Sequence, residues 1–271
     1  MAPPEASIVE VLRLAAASFG EEEGAAADER GALSEEQALH EVRAALAKHD
    51  LGSVDDAFLR RCLVFQRWDV QVAVSTAAGF LSFRRAARWP LRIPAADVEA
   101  PLRTGLHWLV RRRGRAAAAE TEGAPEACLV FNMARLDPAV CPVEAYQKMS
   151  MFLMERAIDS PAAQEHGIAV VVDFRGVQQG QLLRTVGMDD ARRGVALWRG
   201  SFPCRLRRIW LVDPPAGMRW FIACVLRLLS PKVRERVRLA ARSPGAPGAG
   251  LGDIARDLAH LALPRDLGGG G

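Results

Sequence analysis

Four basic residues in the last third of the chain stand at spacings that bring each pair onto one face. Arg205 and Arg207 are two residues apart in an expected strand, so both side chains point to the same side of it. Lys232 and Arg236 are four residues apart in an expected helix and share a face in the same way. Like charges at these spacings repel one another unless an anion compensates them. The pattern therefore favours anion binding, and a solvated basic face is the alternative.

The charge distribution along the whole chain also favours an anionic partner. Residues 199–242 carry eleven bases against two acids, whereas residues 1–60 carry thirteen acids against five bases. One face of the protein is thus expected to meet a membrane surface or a nucleic acid. Because basic and aromatic residues do not alternate and no nucleic-acid-binding motif is present, we expect no nucleic-acid partner.

Residues that would perform catalysis do not form a known motif. The sequence contains no GxGxxG or GxxxxGK[ST] phosphate loop, no GxSxG nucleophile elbow, and no cysteine followed by arginine six positions later. The five histidines lack metal-ligand spacing. Asp173 ends an expected strand, where a catalytic acid can lie, but no base or nucleophile accompanies it and a turn or capping role is favoured. We expect no enzyme activity, no catalytic residue, no metal and no cofactor.

Length and composition suit a soluble globular protein. The chain has 271 residues, of which 50% are hydrophobic and 25% are charged, enough to bury a sizeable core. The five cysteines include no CxxC pair, which is typical of reduced core thiols. The N-terminus lacks the basic segment of a secretory signal. The most apolar later stretch, 216–229, has 14 residues where about 20 are needed to span a bilayer, so we expect a cytoplasmic protein.

The elements that position these residues begin with a small helical lobe. Residues 1–30 form an acidic leader that we expect to be flexible, with one helix at residues 8–17. Residues 31–100 form the lobe, in which helices are predicted from Ser34 to about His49, from Ala57 to Val64 and from Val70 to Ala87. The first opens on a capping box and the second on Asp55-Asp56. Prolines at positions 90, 94 and 101 mark a linker after the lobe.

Residues 101–271 have the alternating pattern of an α/β lobe. Short apolar runs that are typical of buried strands stand at 128–133 and 168–174, and a further strand is predicted at 206–212. Helical patterns stand at 143–158, 188–198, 216–229 and 251–261. Strands that alternate with helices predict a largely parallel sheet.

Several separated segments match one family in order and spacing. They are Asp55 to Arg61, Arg67-Trp68-Asp69-Val70, Phe83-Arg84-Arg85, Gly167-Ile168 through Asp173-Phe174-Arg175-Gly176, Ser201 to Ile209, Asp213-Pro214-Pro215, and Leu263-Pro264-Arg265-Asp266-Leu267-Gly268-Gly269. Together, over about residues 33–269, they resemble the CRAL-TRIO (Sec14-like) lipid-binding family. Leu136-Asp137-Pro138 and residues 232–236 are most similar to the branch that holds α-tocopherol transfer protein and cellular retinaldehyde-binding protein.

The resemblance implies an α/β fold in which the helical lobe precedes a CRAL-TRIO lobe. There, a mostly parallel five-stranded sheet floors an apolar cavity and a mobile amphipathic helix covers it as a lid. The lid candidate has one apolar face at helical spacing, formed by Met218, Phe221, Ile222, Val225, Leu228 and Leu229. The aligned pocket-lining positions are Ser150, Met154, Ile168, Leu197, Trp198, Phe202, Leu206 and Ile209. Arg205, Arg207, Lys232 and Arg236 match the phosphoinositide contacts of the branch.

Five positions depart from the family pattern. Met154 and Trp198 replace a small polar and an aliphatic residue of the tocopherol branch, which reduces room and polar anchoring and argues against tocopherol itself. Gln66 stands where arginine is usual, which weakens headgroup binding, and Arg175 stands where the branch has an acid. Cys204 replaces the glutamate of the phosphatidylinositol-transfer branch and argues against that role.

The function that the resemblance implies is that of a carrier. It would bind one tocopherol-, retinoid- or phospholipid-like molecule in an internal pocket and dock on phosphoinositide membranes to load or release it. We expect it to be a monomer, cytoplasmic and peripheral on endosomal or other intracellular membranes. The alternative is a CRAL-TRIO module that has lost its ligand, because Met154 and Trp198 fill the pocket, and that serves as a scaffold or a regulator of small GTPases.

Overall fold

The predicted helices and strands that fall on described residues occur in the predicted order, and further elements lie between them. The computed structural model describes residues 33–49, 51, 54–112, 124–137, 139–177, 202–216, 231–240 and 249–267. The helices are α1 (Glu35–Ala47), α2 (Asp56–Phe65), α3 (Val70–Ala87), α4 (Glu99–Arg103), α5 (Val143–Ala157), α6 (Pro161–His166), α7 (Pro231–Arg236) and α8 (Ala249–Asp257). The strands are β1 (His107–Arg111), β2 (Ala127–Asn132), β3 (Ile168–Asp173), β4 (Leu206–Val212) and β5 (Val237–Ala240). Short 3-10 turns span Ala95–Val98, Met133–Arg135 and Arg265–Leu267.

Parts of the sequence prediction fall on residues outside these ranges. They are the leader helix at 8–17, the helix at 188–198, and every lid residue from Met218 to Leu229. Among the residues that the structure describes, no helix is both long and apolar enough to cross a bilayer.

The first helices begin where their capping residues predict. The Ser34 hydroxyl accepts a hydrogen bond from the Gln37 backbone N–H at 3.2 Å, and the Gln37 side chain accepts from the Ser34 N–H at 2.9 Å. Asp55 accepts from the Phe58 N–H at 2.7 Å and so opens α2. These bonds satisfy N–H groups that have no partner inside the helix, which is why local sequence is enough to place both starts.

The helical lobe and the sheet share one apolar core. Val42, Leu59 and Ala77 of the lobe are buried in the same cluster as Leu129 of β2 and Met149 of α5. The predicted linker is partly helical and contains the Ala95–Val98 turn and helix α4. Pro101 is compatible with α4 because it lies in the first helical turn, where a backbone N–H has no partner within the helix. The division of the chain at residues 30 and 100 stays a prediction.

The sheet has the mostly parallel five-stranded form that was expected. Its order is β1-β2-β3-β4-β5, with β1 antiparallel to β2 and the other neighbours parallel. Sequence reasoning missed both edge strands. β1 stands next to a run of arginines, and β5 has four residues inside the basic segment 231–242, so neither gives a clear apolar signal.

The two faces of the sheet are covered differently. On the front face, which carries Leu129, Val170 and Ile209, helix α5 packs against β1 and β2. The back face is covered by α8 and the segment after it, whose buried apolar residues are Ile254, Leu258, Leu261, Leu263 and Leu267. The C-terminal segment of the sequence resemblance therefore seals the back face and leaves the front face to other parts of the chain.

Gly167 permits a close backbone approach where β3 begins. Its φ is +79°, and a Cβ at this position would lie 2.3 Å from the carbonyl oxygen of Arg205. That same oxygen accepts a hydrogen bond from the Ile168 N–H at 2.8 Å. Only glycine allows both the positive φ and the close approach, since the Cβ of any other residue would collide with the backbone that leads into β4.

Replacing Gly167 by Ala is therefore expected to lower the free energy of unfolding by about 2–3 kcal/mol. Denaturant-induced unfolding followed by circular dichroism measures the change. Gly252→Ala is the matched control, because a Cβ there meets nothing within 4 Å inside α8, and this change should be neutral or stabilise by up to about 1 kcal/mol. Equal effects of the two substitutions would contradict the close approach at Gly167.

Candidate functional site

A row of apolar side chains crosses the front face and becomes more exposed toward β5. The strand register pairs Phe131 with Val172, Val172 with Leu211, and Leu211 with Leu239. Phe131 is 8% exposed, Val172 and Leu211 are half-buried, and Leu239 is 45% exposed. The apolar back-face residues of β3 and β4 are all buried. We call these four residues the apolar row. The row is incompletely covered and leads from the interior of the protein to the β5 edge of the sheet.

Most of the predicted pocket residues lie in well-packed core. Ser150, Met154, Ile168, Phe202 and Leu206 are each at most 5% exposed and belong to the front-face cluster or adjoin it. All five side chains therefore pack against protein. Their role as ligand contacts stays a prediction.

Ile209 is the predicted pocket residue that lies on accessible surface. It is half-buried on the front face, beside the apolar row. Leu197 and Trp198 lie outside the described residues. Sequence reasoning missed Val172 and Leu211, although both follow a predicted pocket residue by an even number of strand positions and so share its face.

A small cavity lies elsewhere, between the helical lobe, the end of α5 and the segment before β4. Its volume of about 20 Å³ suits one water molecule. It is lined by Asp55, Phe58, Arg61, Phe80, Leu91, Arg92, Glu155, Ile158, Phe202 and Pro203. Among the predicted pocket residues that the structure describes, Phe202 alone lines this cavity.

Arg205 and Arg207 donate to helix ends. Arg205 donates to the carbonyl oxygen of Val64 at 2.6 Å, in the last turn of α2, and to that of Glu165 at 2.8 Å, in the last turn of α6. Arg207 donates to the carbonyl oxygen of His166 at 2.7 Å. The last carbonyls of a helix lack partners within it and carry partial negative charge, so guanidinium groups stabilise them. Both arginines thereby fasten α6 to the start of β4, and Arg205 also fastens the helical lobe. Their role as phosphate ligands stays a prediction.

The second basic pair lies on α7, which leads directly into the edge strand that carries the exposed end of the apolar row. Lys232 and Arg236 both fall in this helix, which packs against β4 and leads directly into β5. Arg234 and Arg238 are exposed and Arg236 is half-buried. We call Lys232, Arg234, Arg236 and Arg238 the basic strip. Along the chain the strip leads into Leu239, and at β5 the Arg238 side chain points to the back face whereas Leu239 lies on the front face, because neighbouring strand residues alternate.

Asp173 is fully engaged in holding the turn after β3. Its carboxylate accepts hydrogen bonds from the Arg175 backbone N–H at 3.0 Å and from the Arg175 guanidinium at 2.6–3.1 Å. The same guanidinium donates to the Asp266 carbonyl oxygen at 2.8 Å, and its bond with Asp173 raises the pKa of Arg175. Asp173 therefore has the predicted turn role. Arg175, which stands where the family branch has an acidic residue, links that turn to the C-terminal segment.

Gln66 has a structural partner of its own. Its side-chain amide donates to the Thr76 hydroxyl at 2.8 Å, and both residues are buried. The amide at this position is thus part of the packing between α2 and α3, and it does not face solvent as a phosphate ligand would.

Comparison with protein-family models identifies one match. The model described as "CRAL/TRIO domain" matches residues 121–269. Those residues include β2 to β5, the apolar row and the basic strip.

Curated relatives include proteins of two kinds. Human tyrosine-protein phosphatase non-receptor type 9 is 24% identical over 234 residues, which are 86% of this chain and 36% of that protein. Mouse alpha-tocopherol transfer protein-like is 24% identical over 220 residues, which are 80% of this chain and 59% of that protein. The chain thus spans about a third of one relative and somewhat over half of the other.

A solved structure shares the fold. The crystal structure of Sfh5 superposes with a TM-score of 0.50 at 12% sequence identity, covering 76% of this chain and 80% of that one. At this identity the likeness concerns the arrangement of helices and strands.

Proposed function

This chain belongs to the CRAL/TRIO domain family, and on that basis we propose that it carries one hydrophobic, lipid-like molecule on the front face of its sheet. The observation that supports the proposal best is the apolar row, whose exposure rises from 8% at Phe131 to 45% at Leu239. Burying several hundred Å² of a lipid against such a surface contributes on the order of 10 kcal/mol before the costs of association, which is enough for tight binding without a charge in the site.

We further propose that the carrier loads and releases its ligand on phosphoinositide-containing membranes. The basic strip is continuous along the chain with β5, the edge strand that carries Leu239, so a headgroup held by the strip would bring the bilayer to this edge of the sheet. Lys232 and Arg236 are the proposed phosphate contacts in this strip. A phosphate that also engages Arg205 or Arg207 has to share or displace the helix-end carbonyls that these arginines now bind.

The proposed function involves no catalysis by this chain. The phosphatase relative is matched over 36% of its length, and no cysteine of this chain is followed by arginine six positions later. Among the described residues, no group of three or more histidine, cysteine, aspartate or glutamate side chains is arranged to hold a metal ion.

Organic extraction of the purified chain, followed by mass spectrometry, tests the carrier function. We expect about one lipid per protein molecule, retained through native mass spectrometry and exchangeable with liposomes. A folded preparation that holds no lipid and takes none from natural membrane extracts would rule the carrier out.

The second candidate is a ligand-free CRAL/TRIO module that acts as a scaffold or a regulator of small GTPases. The tight packing of Met154 and Ile168, both 0% exposed at predicted pocket positions, favours it. In the extraction experiment this candidate predicts a stable, empty chain whose binding partner is another protein.

The membrane proposal makes its own prediction. Reversing two charges of the strip, with Lys232→Glu and Arg236→Glu, is expected to weaken binding to phosphoinositide liposomes about tenfold or more while ligand loading changes little, since each charged contact contributes about 1 kcal/mol. Co-sedimentation with liposomes of phosphatidylcholine and 5% phosphatidylinositol bisphosphate measures it.

A matched variant separates a specific site from net charge. Arg103→Glu with Arg256→Glu makes the same change in charge at side chains that are 77% and 81% exposed on α4 and α8. This control should lose much less affinity than the strip variant. Equal losses would show that the liposomes sense only overall charge.

A further inference from the structure

The apolar row continues into a buried histidine. His107 of β1 stands opposite Phe131, so five residues, one from each strand, form a single line across the front face. Neighbouring strands are about 4.8 Å apart, so the line is about 19 Å long, comparable with an extended lipid chain. Its outer end, Leu239, is 45% exposed, and its inner end, His107, is 2% exposed. The innermost group of an otherwise apolar line is therefore polar.

The surroundings of His107 determine which ring nitrogen carries the proton. The Ser150 hydroxyl donates its single hydrogen to the Tyr146 carbonyl oxygen at 2.8 Å. The same hydroxyl oxygen lies 3.4 Å from Nδ1 of His107 and so accepts from it. The proton is therefore on Nδ1, and Nε2 is left with a lone pair as a hydrogen-bond acceptor.

That acceptor has no donor. Nε2 of His107 is buried and has no hydrogen-bond partner among the residues that the structure describes. The ring lies between aromatic groups, with centroid distances of 4.0 Å to Phe131 and 4.7 Å to Tyr146. Burial lowers the pKa of His107 to about 3, so the ring stays neutral at physiological pH and Nε2 does not gain a second proton to donate. A buried hydrogen-bond acceptor without a partner costs free energy, and a bound donor removes that cost.

We propose that Nε2 of His107 accepts a hydrogen bond from the hydroxyl group of a lipid alcohol or phenol that lies along the line with its hydroxyl innermost. This inference rests on the proposed carrier function and names its ligand class. A methyl ether or an ester of the same lipid has no hydrogen to donate, and a carboxylate would place its negative charge against the lone pair of Nε2. The ligand chemistry is thus a neutral O–H donor on a long apolar body.

Uptake from liposomes tests the ligand class. Liposomes doped with 1-hexadecanol, or separately with hexadecyl methyl ether, are incubated with the full chain, and the lipid bound to the re-isolated protein is quantified by mass spectrometry. We expect the wild-type chain to take up the alcohol about tenfold better than the ether, the effect of one hydrogen bond to a buried acceptor.

Two variants assign the preference to the ring. His107→Phe keeps an aromatic ring and removes the acceptor, so the ratio of alcohol uptake to ether uptake should fall to about one. Ser150→Ala frees Nδ1 from its partner and lets the proton move to Nε2, which then donates to either probe and again removes the preference. If His107→Phe does not fold, Ser150→Ala carries the test.

The outcomes distinguish this inference from the carrier function. Equal uptake of alcohol and ether by the wild-type chain, or an unchanged preference in either folded variant, would overturn the role of His107 and leave water as the partner of Nε2. Uptake of neither probe by a chain that retains a natural lipid on extraction would overturn the alcohol class alone. Uptake of neither probe by a chain that retains no lipid at all would overturn the carrier function as well.

Discussion

Replacing Glu155 by Gln is expected to lower the free energy of unfolding by about 3–5 kcal/mol. Glu155, in the last turn of α5, forms an ion pair with Arg84 of α3, whose side chain is 3% exposed. It also accepts a hydrogen bond from the Ile93 N–H at 3.3 Å. Glutamine keeps the shape and that acceptor but leaves the guanidinium charge buried without its counter-ion. Burial already lowers the pKa of Arg84 to about 10, a sign that this site tolerates the charge poorly.

Chemical denaturation of the purified chain measures the effect, and two further variants interpret it. Glu99→Gln removes the partner of Arg103 in an exposed pair whose side chains are 63% and 77% accessible, and should change stability by less than about 1 kcal/mol. Arg84→Met combined with Glu155→Leu removes both charges and should recover most of the loss, since an apolar pair of similar volume replaces a buried ion pair well. If Glu155→Gln and Glu99→Gln had equal effects, the pair would not be holding the helical lobe to the sheet.

The fold was predictable wherever a local signal decides the structure. Ser34 and Asp55 cap their helices through bonds to residues three positions away, and β3 is an apolar, β-branched run, so short segments carry the information. β5 was missed because its four residues gain strand structure from pairing with β4 and carry little apolar pattern themselves.

The site was predictable only in part, because its decisive contacts join distant segments. Arg205 donates to the Val64 carbonyl oxygen, which lies 141 residues earlier in the sequence, and no rule of residue spacing predicts that partner. Likewise, a buried valine and a cavity-lining valine look alike in sequence, so the half-burial of Val172 is visible only once the neighbouring elements are in place. The resemblance supplied the location of the basic pair on α7, whereas the apolar row and the tautomer of His107 needed the register and the hydrogen bonds.

The apolar row makes the second large prediction, on affinity. Leu211→Asp is expected to reduce lipid retention at least about 100-fold, since a ligand in van der Waals contact with this position would desolvate the carboxylate, at a cost of about 3 kcal/mol or more. Stability should fall much less, because Leu211 is half-buried on the front face and the carboxylate can turn to solvent when no lipid is bound. Titration with the lipid recovered from the native chain, read out by native mass spectrometry, measures the change.

Position along the row provides the internal control. Leu239→Asp makes the same substitution at the outer end, where the side chain is already 45% exposed, and should weaken retention less than Leu211→Asp does. Val140→Asp adds the same charge at a 66% exposed site outside the sheet and should have no effect on retention. Leu211→Met keeps the apolar volume and should bind as the wild type does. A graded loss in this order would mean that the lipid follows the line from the β5 edge inward, because only a ligand in contact with the row senses the depth at which the charge is placed. Retention by Leu211→Asp equal to that of Val140→Asp would place the lipid elsewhere in the molecule.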